Sequence, residues 1–199
     1  MNDAARLTTP LEPEAVARLT VGRAVLISGT LVTARDEAHR HLAEGPADDR
    51  PPYDLSGGII YHCGPIVEGS GDNRRVVSAG PTTSMRMEMF EPRIIEQFGV
   101  RAIIGKGGMG AGTARALTET GGVYLAAPSG AGALLAKCVK RVMDVWKLEE
   151  FGAPEALWRL EVEDFPAVVA MDARGGDLYG RVEKSSADAL RWLLGGEEK

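Results

Sequence analysis

The chain has 199 residues, of which 44% are hydrophobic and 26% charged, and its formal net charge at pH 7 is −5. This length and composition predict a single domain over residues 1–199, with residues 1–12 and 195–199 as a flexible arm and tail. The acidic balance argues against a general surface for nucleic acid or for an anionic membrane. An anion site in this chain must therefore be a local group of cations.

Targeting, membrane and cysteine signals further limit the location of the protein and the metal sites that it can form alone. No apolar stretch approaches the roughly 20 residues that span a bilayer, and residues 1–13 lack the apolar core of a secretory signal, so a cytoplasmic location is expected. Cys63 and Cys138 lie in apolar runs, which favours buried free thiols. Without a third cysteine or a C-x-x-C motif, the chain cannot alone supply the usual ligands of an iron–sulfur cluster or a structural zinc ion.

Strand-like and helix-like segments alternate along the chain, which predicts an α/β domain with a central, mostly parallel or mixed sheet. Thr33 is expected to cap the first helix with Asp36 as its capping-box partner, and Thr82 or Thr83 to cap the second. A helix is the alternative for residues 142–148. The predicted strands are residues 25–28, 59–63, 100–104, 123–127, 142–148, 157–162 and 167–171; the predicted helices are residues 33–42, 82–90, 92–98, 109–118 and 131–140, with a last helix from residue 185 or 186 to 194.

Two glycine-rich turns are the most informative local feature, SAGPTTSMRM at residues 78–87 and IIGKGGMG at residues 103–110. Each places a cation, Arg86 or Lys106, where a strand passes into a helix and free backbone N–H groups can face an anion. Arg35 occupies an equivalent place after Thr33. A solvated surface cation is the alternative for each. However, an arginine in a first helical turn costs a few tenths of a kcal/mol unless an anion compensates, which favours a ligand held by several cations, such as a dicarboxylate.

A nucleotide-phosphate loop does not fit the second turn. The G-x-x-x-x-G-K-[ST] pattern needs Ser or Thr after the lysine, and this chain has Gly107 there. No G-x-G-x-x-G motif opens a βαβ unit near the N-terminus, and the pair Gly130 and Gly132 is weak support for one. Nucleotide binding is therefore not expected.

Histidines and isolated acids give no metal-ligand spacing. His39 and His41 are two residues apart, so they point to different sides of a helix and are expected on a solvated face. His62 ends an apolar strand and stays unassigned. Asp172 follows a buried strand, where a turn-forming role is favoured over a site role.

Ordered motifs along most of the chain give a specific resemblance. Residues 7–179 resemble the β subunit, or C-terminal domain, of class I fumarases and L-tartrate dehydratases. The motifs that carry it are GTLVTARDEAH at residues 29–39, YHCGP at 61–65, AGPTTSMRM at 79–87, GKGGM at 105–109 and LEVEDFPA at 160–167. Where many relatives have a Gly-Gly-Ala-Ala-Ala turn, this chain has SGAGA at residues 129–133, which affects no predicted site residue.

The resemblance implies a swivelling β/β/α domain with a central mixed sheet flanked by helices. It implies the reversible addition of water across the carbon–carbon double bond of a dicarboxylate, with a [4Fe-4S] cluster as Lewis acid. The family's cluster cysteines lie in the α half, so an α subunit carrying the cluster is an implied partner, this chain is expected to be inactive alone and to ligate no metal, and an α2β2 assembly is expected.

The resemblance also assigns roles to five residues. Arg35, Arg86 and Lys106 match the family's anchors for substrate carboxylates. Thr82 matches a threonine proposed to transfer a proton, although a hydrogen bond to substrate or a helix cap is the alternative, since a threonine hydroxyl is a poor base without an activating neighbour. Thr83 is implied to lie beside the substrate.

These predictions leave the substrate open. Fumarate and malate are preferred and L-tartrate is the alternative, because the two substrate pairs differ by one hydroxyl group. A non-catalytic dicarboxylate-binding or assembly module of the same fold is the competing hypothesis from another class. The joint presence of Arg35, Thr82, Arg86 and Lys106 weighs against it, since a scaffold needs none of them.

Overall fold

The computed structural model describes residues 4–194, and the tail predicted for residues 195–199 lies outside them. Two short 310 helices, Gly71–Asn73 and Ser84–Met87, accompany the regular elements. The strands are β1 (Ala5–Thr8), β2 (Ala24–Thr33), β3 (Ile59–Tyr61), β4 (Ile66–Glu68), β5 (Arg75–Ser78), β6 (Ala102–Gly105), β7 (Val123–Ala126), β8 (Val139–Trp146) and β9 (Leu157–Met171), and the helices are α1 (Pro13–Ala17), α2 (Asp36–Glu44), α3 (Glu91–Phe98), α4 (Ala111–Thr120), α5 (Gly132–Ala136), α6 (Leu148–Phe151) and α7 (Leu178–Leu193).

The main sheet closes into a ring. Its strand order is β1-β2-β3-β6-β7-β9-β8, and β9 also pairs with β2, so that β2, β3, β6, β7 and β9 form a closed barrel. The first four of these run parallel, whereas β9 is antiparallel to both of its neighbours. The predicted mixed α/β fold is therefore confirmed, and the closed ring places the ends of its parallel strands at one edge.

Alternating strand residues build two cores. Ile59, Tyr61 and Ile104 belong to the cluster inside the ring, whereas Ile60 and Ile103, one residue out of step, belong to the cluster beneath the helices. This period of two is expected for strands that are buried on both faces. Helices α2, α3 and α4 cover the second cluster with buried aliphatic side chains.

Several predicted boundaries were wrong. Ala5–Thr8, expected in a flexible arm, form β1, which pairs with β2 and buries Leu7. The predicted strands at residues 157–162 and 167–171 are one strand, β9, because the chain continues through Asp164 in a left-handed conformation. The predicted helix at residues 131–140 is limited to α5, and β8 confirms a strand rather than a helix for most of residues 142–148.

Two of the predicted caps were also wrong. Thr33 is the last residue of β2, and its hydroxyl accepts a hydrogen bond from the backbone N–H of Trp158 at 3.0 Å. The last helix begins seven residues before Ser185, at Leu178, because Asp177 accepts a hydrogen bond from the Tyr179 N–H and caps it. Within residues 4–194, no helix is long and apolar enough to cross a membrane.

Candidate active site

Three neighbouring parallel strands bring the predicted site residues to the same edge of the ring. Arg35 follows the end of β2 by two residues, Gly64 follows the end of β3, and Lys106 comes directly after β6. Since β3 lies between β2 and β6, the residues after the three strands line a continuous edge. We call the edge defined by Arg35, Thr82, Arg86 and Lys106 the cationic rim.

The segment after β5 crosses this edge and is fixed by backbone hydrogen bonds. The Thr82 N–H donates to the His62 carbonyl at 2.7 Å, and the Lys106 N–H donates to the Thr82 carbonyl at 3.3 Å. The Ser84 N–H in turn donates to the Lys106 carbonyl at 3.0 Å. The structure therefore places Thr82, Thr83 and Lys106, which come from two separate sequence motifs, side by side.

Arg35 lies at the N-terminus of α2 and is held from two sides. Its Nε atom is 3.3 Å from Glu155 Oε1, and the side chain is 23% exposed. Gly64 packs against it, since a Cβ atom at that position would lie 2.8 Å from Arg35 Nη1 and 2.7 Å from the Pro154 carbonyl oxygen. A side chain at residue 64 would therefore displace the guanidinium group.

Arg86 forms a two-point ion pair that the sequence analysis missed. Its Nε donates to Asp36 Oδ1 at 2.9 Å, and its Nη2 contacts Asp36 Oδ2. Asp36 was predicted to complete a capping box with Thr33; instead, Thr33 bonds inside the sheet and the Asp36 carboxylate faces Arg86. Arg86 lies in the 310 helix Ser84–Met87, not in the predicted α-helix. The bidentate geometry fixes the guanidinium plane, and Nη1, which bonds to no residue in the range 4–194, can bind another carboxylate.

Lys106 differs from the two arginines because its charge is not balanced nearby. The residue is half-buried, and no acidic side chain among the described residues forms an ion pair with it. Thr82 is half-buried and Thr83 is exposed; over residues 4–194 neither hydroxyl group makes a hydrogen bond. The rim therefore presents one unneutralised ammonium group and two unpaired hydroxyls, which suits a polar anionic ligand.

Glu88 occupies the place where a phosphate would bind after the glycine-rich turn. Its carboxylate accepts hydrogen bonds from the N–H groups of Gly110, Gly112 and Thr113 at 2.7–3.1 Å, and from the Thr113 hydroxyl at 2.7 Å. The free N–H groups at the start of α4 are thus capped by the chain's own carboxylate. This agrees with the sequence-based exclusion of a phosphate loop.

A buried polar network lies directly beneath the rim. Glu91 Oε2 is 2.9 Å from His39 Nε2 and 2.8 Å from His62 Nε2. His62 Nδ1 is 2.8 Å from Ser84 Oγ, which also accepts a hydrogen bond from the Tyr124 hydroxyl at 2.9 Å. All five side chains are buried. The prediction that His39 lies on a solvated helix face was therefore wrong. His62, which the sequence left unassigned, lies between Ser84 and Glu91 in the buried network.

The charges in this network follow from its geometry. Burial alone would raise the pKa of Glu91, but the adjacent His39 and His62 outweigh it and lower that pKa to about 2. Burial opposes a charge on His39, yet Glu91 and the Arg35 carbonyl raise its pKa. Burial dominates for His62 and lowers its pKa. The network thus favours a charge on Glu91 and on His39 and disfavours a charge on His62.

Other predicted residues lie away from the rim. Asp172 accepts hydrogen bonds from the N–H groups of Val21, Arg174 and Gly176 at 2.9–3.0 Å, so its predicted turn-forming role is confirmed. His41 is partly exposed and lies 3.3 Å from Asp49. Cys63 is a buried free thiol as predicted, whereas the free thiol of Cys138 is only partly buried.

Glu88 and Glu91 were missed because sequence reasoning did not examine charged residues within apolar faces. Glu91 precedes Ile94 and Ile95 by three and four residues, so it lies on the buried stripe of α3. A carboxylate in such a stripe is a signal that could have identified the network. No comparable signal links Asp36 to Arg86, which is 50 residues away in sequence.

Comparisons with known proteins give the family of the chain. The Fumarase C-terminus family model matches residues 2–182. A Geobacillus stearothermophilus protein, provisionally named a class I fumarate hydratase, is 47% identical over 185 residues, which are 92% of this chain and 35% of that protein. A provisionally named L(+)-tartrate dehydratase subunit beta from Methanocaldococcus jannaschii is 46% identical over 182 residues, covering 90% of this chain and 93% of that protein. The L(+)-tartrate dehydratase subunit beta of Escherichia coli K12 is 43% identical over 185 residues, covering 92% and 90%.

The family model and the relatives together define a class, that of the fumarase and tartrate dehydratase hydro-lyase subunits and domains. Within that class, the chain belongs to the Fumarase C-terminus family. The resemblance stated from its motifs is thereby confirmed. The chain spans only about a third of the Geobacillus protein but nearly the full length of the two subunits named beta.

This chain's own residues do not fit an iron–sulfur cluster. Such a cluster is usually held by several cysteine thiolates, and the sequence has two cysteines. Cys63 is buried in the core inside the ring and Cys138 is partly buried against that core, so neither lies at the rim. A cluster at this site would have to be held by another part of the protein or by another chain.

Proposed function

We propose that this chain is the β subunit of a hydro-lyase that reversibly adds water to fumarate to give malate. The observation that carries the proposal is the cationic rim, where Arg35, Arg86 and Lys106 meet at one edge of the barrel beside unpaired threonine hydroxyls. A four-carbon dicarboxylate has two charged ends, and a rim with three cations offers both of them a partner.

The rim cations would act on charge that develops during the reaction. Removal of the proton next to a carboxylate drives extra negative charge onto that carboxylate in the transition state. Fixed cations facing it stabilise this charge without reorganising, which is commonly the largest electrostatic contribution to catalysis. Lys106 is the best placed for this role because its charge is not balanced within the described residues, whereas Arg35 and Arg86 are each held in position by a carboxylate.

We propose that Thr82 contacts the substrate and, more specifically, transfers a proton. Its backbone is fixed on both sides by hydrogen bonds to His62 and Lys106, so its hydroxyl is held at the rim. No described side chain bonds to that hydroxyl and could act as its base. Proton transfer through Thr82 would therefore need a base from the partner, whereas a hydrogen bond to the substrate would not. Thr83, more exposed, would line the same pocket.

An α subunit is the proposed partner, because relatives of similar length are named beta subunits. We assign the [4Fe-4S] cluster to that subunit, where it would supply Lewis-acid chemistry at the substrate hydroxyl, and we propose an α2β2 assembly. Since the cysteines of this chain do not suit the cluster, no step is assigned to it here. The residues of this chain bind, orient and stabilise the dicarboxylate.

L-tartrate is the second candidate substrate, because two of the similar proteins carry that activity in their names. L-tartrate differs from malate by one hydroxyl, and no described rim residue is unique to either substrate. A non-catalytic dicarboxylate-binding module remains the competing function. It would explain Arg35, Arg86 and Lys106 as carboxylate anchors, and it differs from the proposed function in predicting binding without turnover.

Co-expression with the α-type chain tests the proposal, followed by anaerobic cluster reconstitution and separate assays with malate, fumarate and L-tartrate. We expect turnover by the complex and none by this chain alone.

Arg86→Ala should lower kcat/KM by about 10²-fold or more and leave assembly intact, as judged by gel filtration. Arg75→Ala is the matched control, since Arg75 is an exposed arginine paired with Glu68 on the β4–β5 hairpin. Full activity of Arg86→Ala, or turnover by this chain alone, would contradict the proposal. An assembled complex that binds dicarboxylates without turnover would support the non-catalytic alternative.

A further inference from the structure

The buried network beneath the rim is not explained by packing. Glu91 is completely buried on a helix stripe whose other buried members are Ile94 and Ile95. Burying a carboxylate costs several kcal/mol even when it is paired, and an apolar side chain of similar size commonly serves stability as well or better. The charged residue at this position therefore suggests a role other than filling the core.

Each arm of the network ends on the backbone of the rim. His39 Nδ1 is 2.7 Å from the Arg35 carbonyl oxygen. The His62 carbonyl accepts the Thr82 N–H at 2.7 Å, and the Ser84 N–H donates to the Lys106 carbonyl at 3.0 Å.

The side chains of these three residues converge on one carboxylate. His39 and His62 both contact Glu91 Oε2, and Ser84 is connected to it through His62. Three rim positions that come from three different strands are therefore tied to a single buried group.

The side chains of this network are also closely packed against Gly105. A Cβ atom at Gly105 would overlap Ser84 Oγ and would lie 3.1 Å from His62 Nδ1. Glycine at the end of β6 thus leaves room for the Ser84–His62 contact directly beneath Lys106.

A metal ion is the competing occupant, since His39, His62 and Glu91 offer three ligand atoms within 4.8 Å of one another. A hydrogen bond and an ion pair account for the observed contacts without a metal. His62 Nε2 is hydrogen-bonded to Glu91 Oε2 at 2.8 Å, the usual length of a charge-assisted hydrogen bond, and His39 Nε2 lies 2.9 Å from the same oxygen in an ion-pair contact that does not have hydrogen-bond geometry. Both Nδ1 atoms also have hydrogen-bond partners.

We propose that Glu91 is a positioning residue of the cationic rim, which through His39 and His62 fixes the backbone that carries Arg35, Thr82 and Lys106. The inference rests on the proposed hydro-lyase function. A shift of about 1 Å in a positioned group can cost 10²-fold in rate, so loosening the network should affect turnover more than ground-state binding of substrate.

The experiment measures Glu91→Gln in the reconstituted complex with the α-type chain. We expect kcat to fall by about 10-fold to 100-fold, with a smaller change in KM and unchanged assembly. Asp172→Asn is the matched control, because Asp172 is a nearly buried carboxylate at the opposite edge of the barrel. It should lower the melting temperature without lowering kcat.

A double-mutant cycle separates positioning from general destabilisation. If Glu91 acts through the rim, the loss in kcat/KM from Glu91→Gln should be smaller in an Arg35→Lys background than in the wild-type complex. Strictly additive losses would overturn the inference. If Glu91→Gln does not fold, His39→Gln, which keeps only one of the two contacts of that ring, enters the same cycle with the same expectation.

The outcomes separate the inference from the function on which it rests. An inactive wild-type complex would contradict the proposed function. An active wild-type complex whose Glu91→Gln variant keeps full kcat would contradict the positioning role alone. Stoichiometric metal in the purified chain, measured by mass spectrometry and lost in Glu91→Gln, would overturn the hydrogen-bond interpretation in favour of a metal site.

Discussion

Gly105→Ala tests whether the space beneath the rim is as closely filled as the contacts indicate. Gly105 does not have a positive φ, so alanine meets no backbone penalty and only side-chain space is at issue. The new Cβ would overlap Ser84 Oγ and lie 3.1 Å from His62 Nδ1 and 3.2 Å from the Tyr124 hydroxyl. Ser84 would have to rotate away, or β6 would have to shift.

The expected loss can be estimated from these contacts. Overpacking a filled core costs about 1–3 kcal/mol. If Ser84 rotates, its hydrogen bonds to His62 and Tyr124 are lost and buried polar atoms stay unsatisfied, at about 1–3 kcal/mol. Because the shift of Ser84 relieves part of the overlap, we expect a combined loss of about 2–4 kcal/mol. For a domain of this size that corresponds to a fall in Tm of roughly 5–15 °C.

Urea and thermal unfolding of the purified chain measure this loss. Gly80→Ala is the matched control, since Gly80 also lies near the rim without a positive φ, and the nearest atom to its Cβ would be Gly132 Cα at 3.6 Å, an ordinary contact. Gly80→Ala should be neutral or stabilising by about 0.4–1 kcal/mol. If Gly105→Ala were as stable as Gly80→Ala, the proposed close packing of Ser84 beneath Lys106 would be wrong.

Two further predictions concern Asp36 and the buried network. Asp36→Asn weakens the ion pair that orients Arg86, so KM in the reconstituted complex should rise by about 3-fold to 10-fold. The free energy of unfolding should change by less than about 1 kcal/mol, because the pair is largely exposed. An unchanged KM would argue against the orienting role. The pKa of Glu91 in the folded chain, about 2, lies below its ordinary value of 4.5, so its contribution to stability is present above pH 4.5 and is lost as pH falls through 2. The stability difference between wild type and Glu91→Gln, from urea unfolding at each pH, should therefore shrink below pH 4.5; a constant difference down to pH 2 would contradict the assigned charge.

Much of the fold and part of the site could be predicted from the sequence. Regular alternation of apolar strands with helices identified the α/β class, because local periodicity follows directly from burial. The positions of Arg35 and Lys106 after strands could be predicted because each lies at a local strand-to-helix junction that is visible in the sequence. The edge that unites them depends on β2, β3 and β6 being neighbours, which the residues alone did not specify and the family resemblance implied only in outline.

The features that were missed depend on contacts between distant segments. The Asp36–Arg86 pair joins the start of α2 to a 310 helix, and its partners could be assigned only after both segments were placed. The continuity of β9 was missed because Asp164 and Pro166 resemble a break, whereas β2 pairs with the strand on both sides of Asp164 and holds it together, and β8 pairs with it before that residue. Tertiary pairing outweighs local propensity at such positions.

The charge arrangement at the rim also bears on the proposal that the site is shared with a second chain. Asp36 and Glu155 occupy one side of the two guanidinium groups, so Arg86 and Arg35 are held in place while part of each donor set stays available. Lys106 has no such described partner, and the Thr82 and Thr83 hydroxyls are also unpaired. A dicarboxylate would accept from the remaining donors of the rim, because the carboxylates described there, Asp36 and Glu155, are already engaged by the two arginines. This asymmetry supports the proposal that the remaining groups come from a second chain, with this chain supplying the anchors.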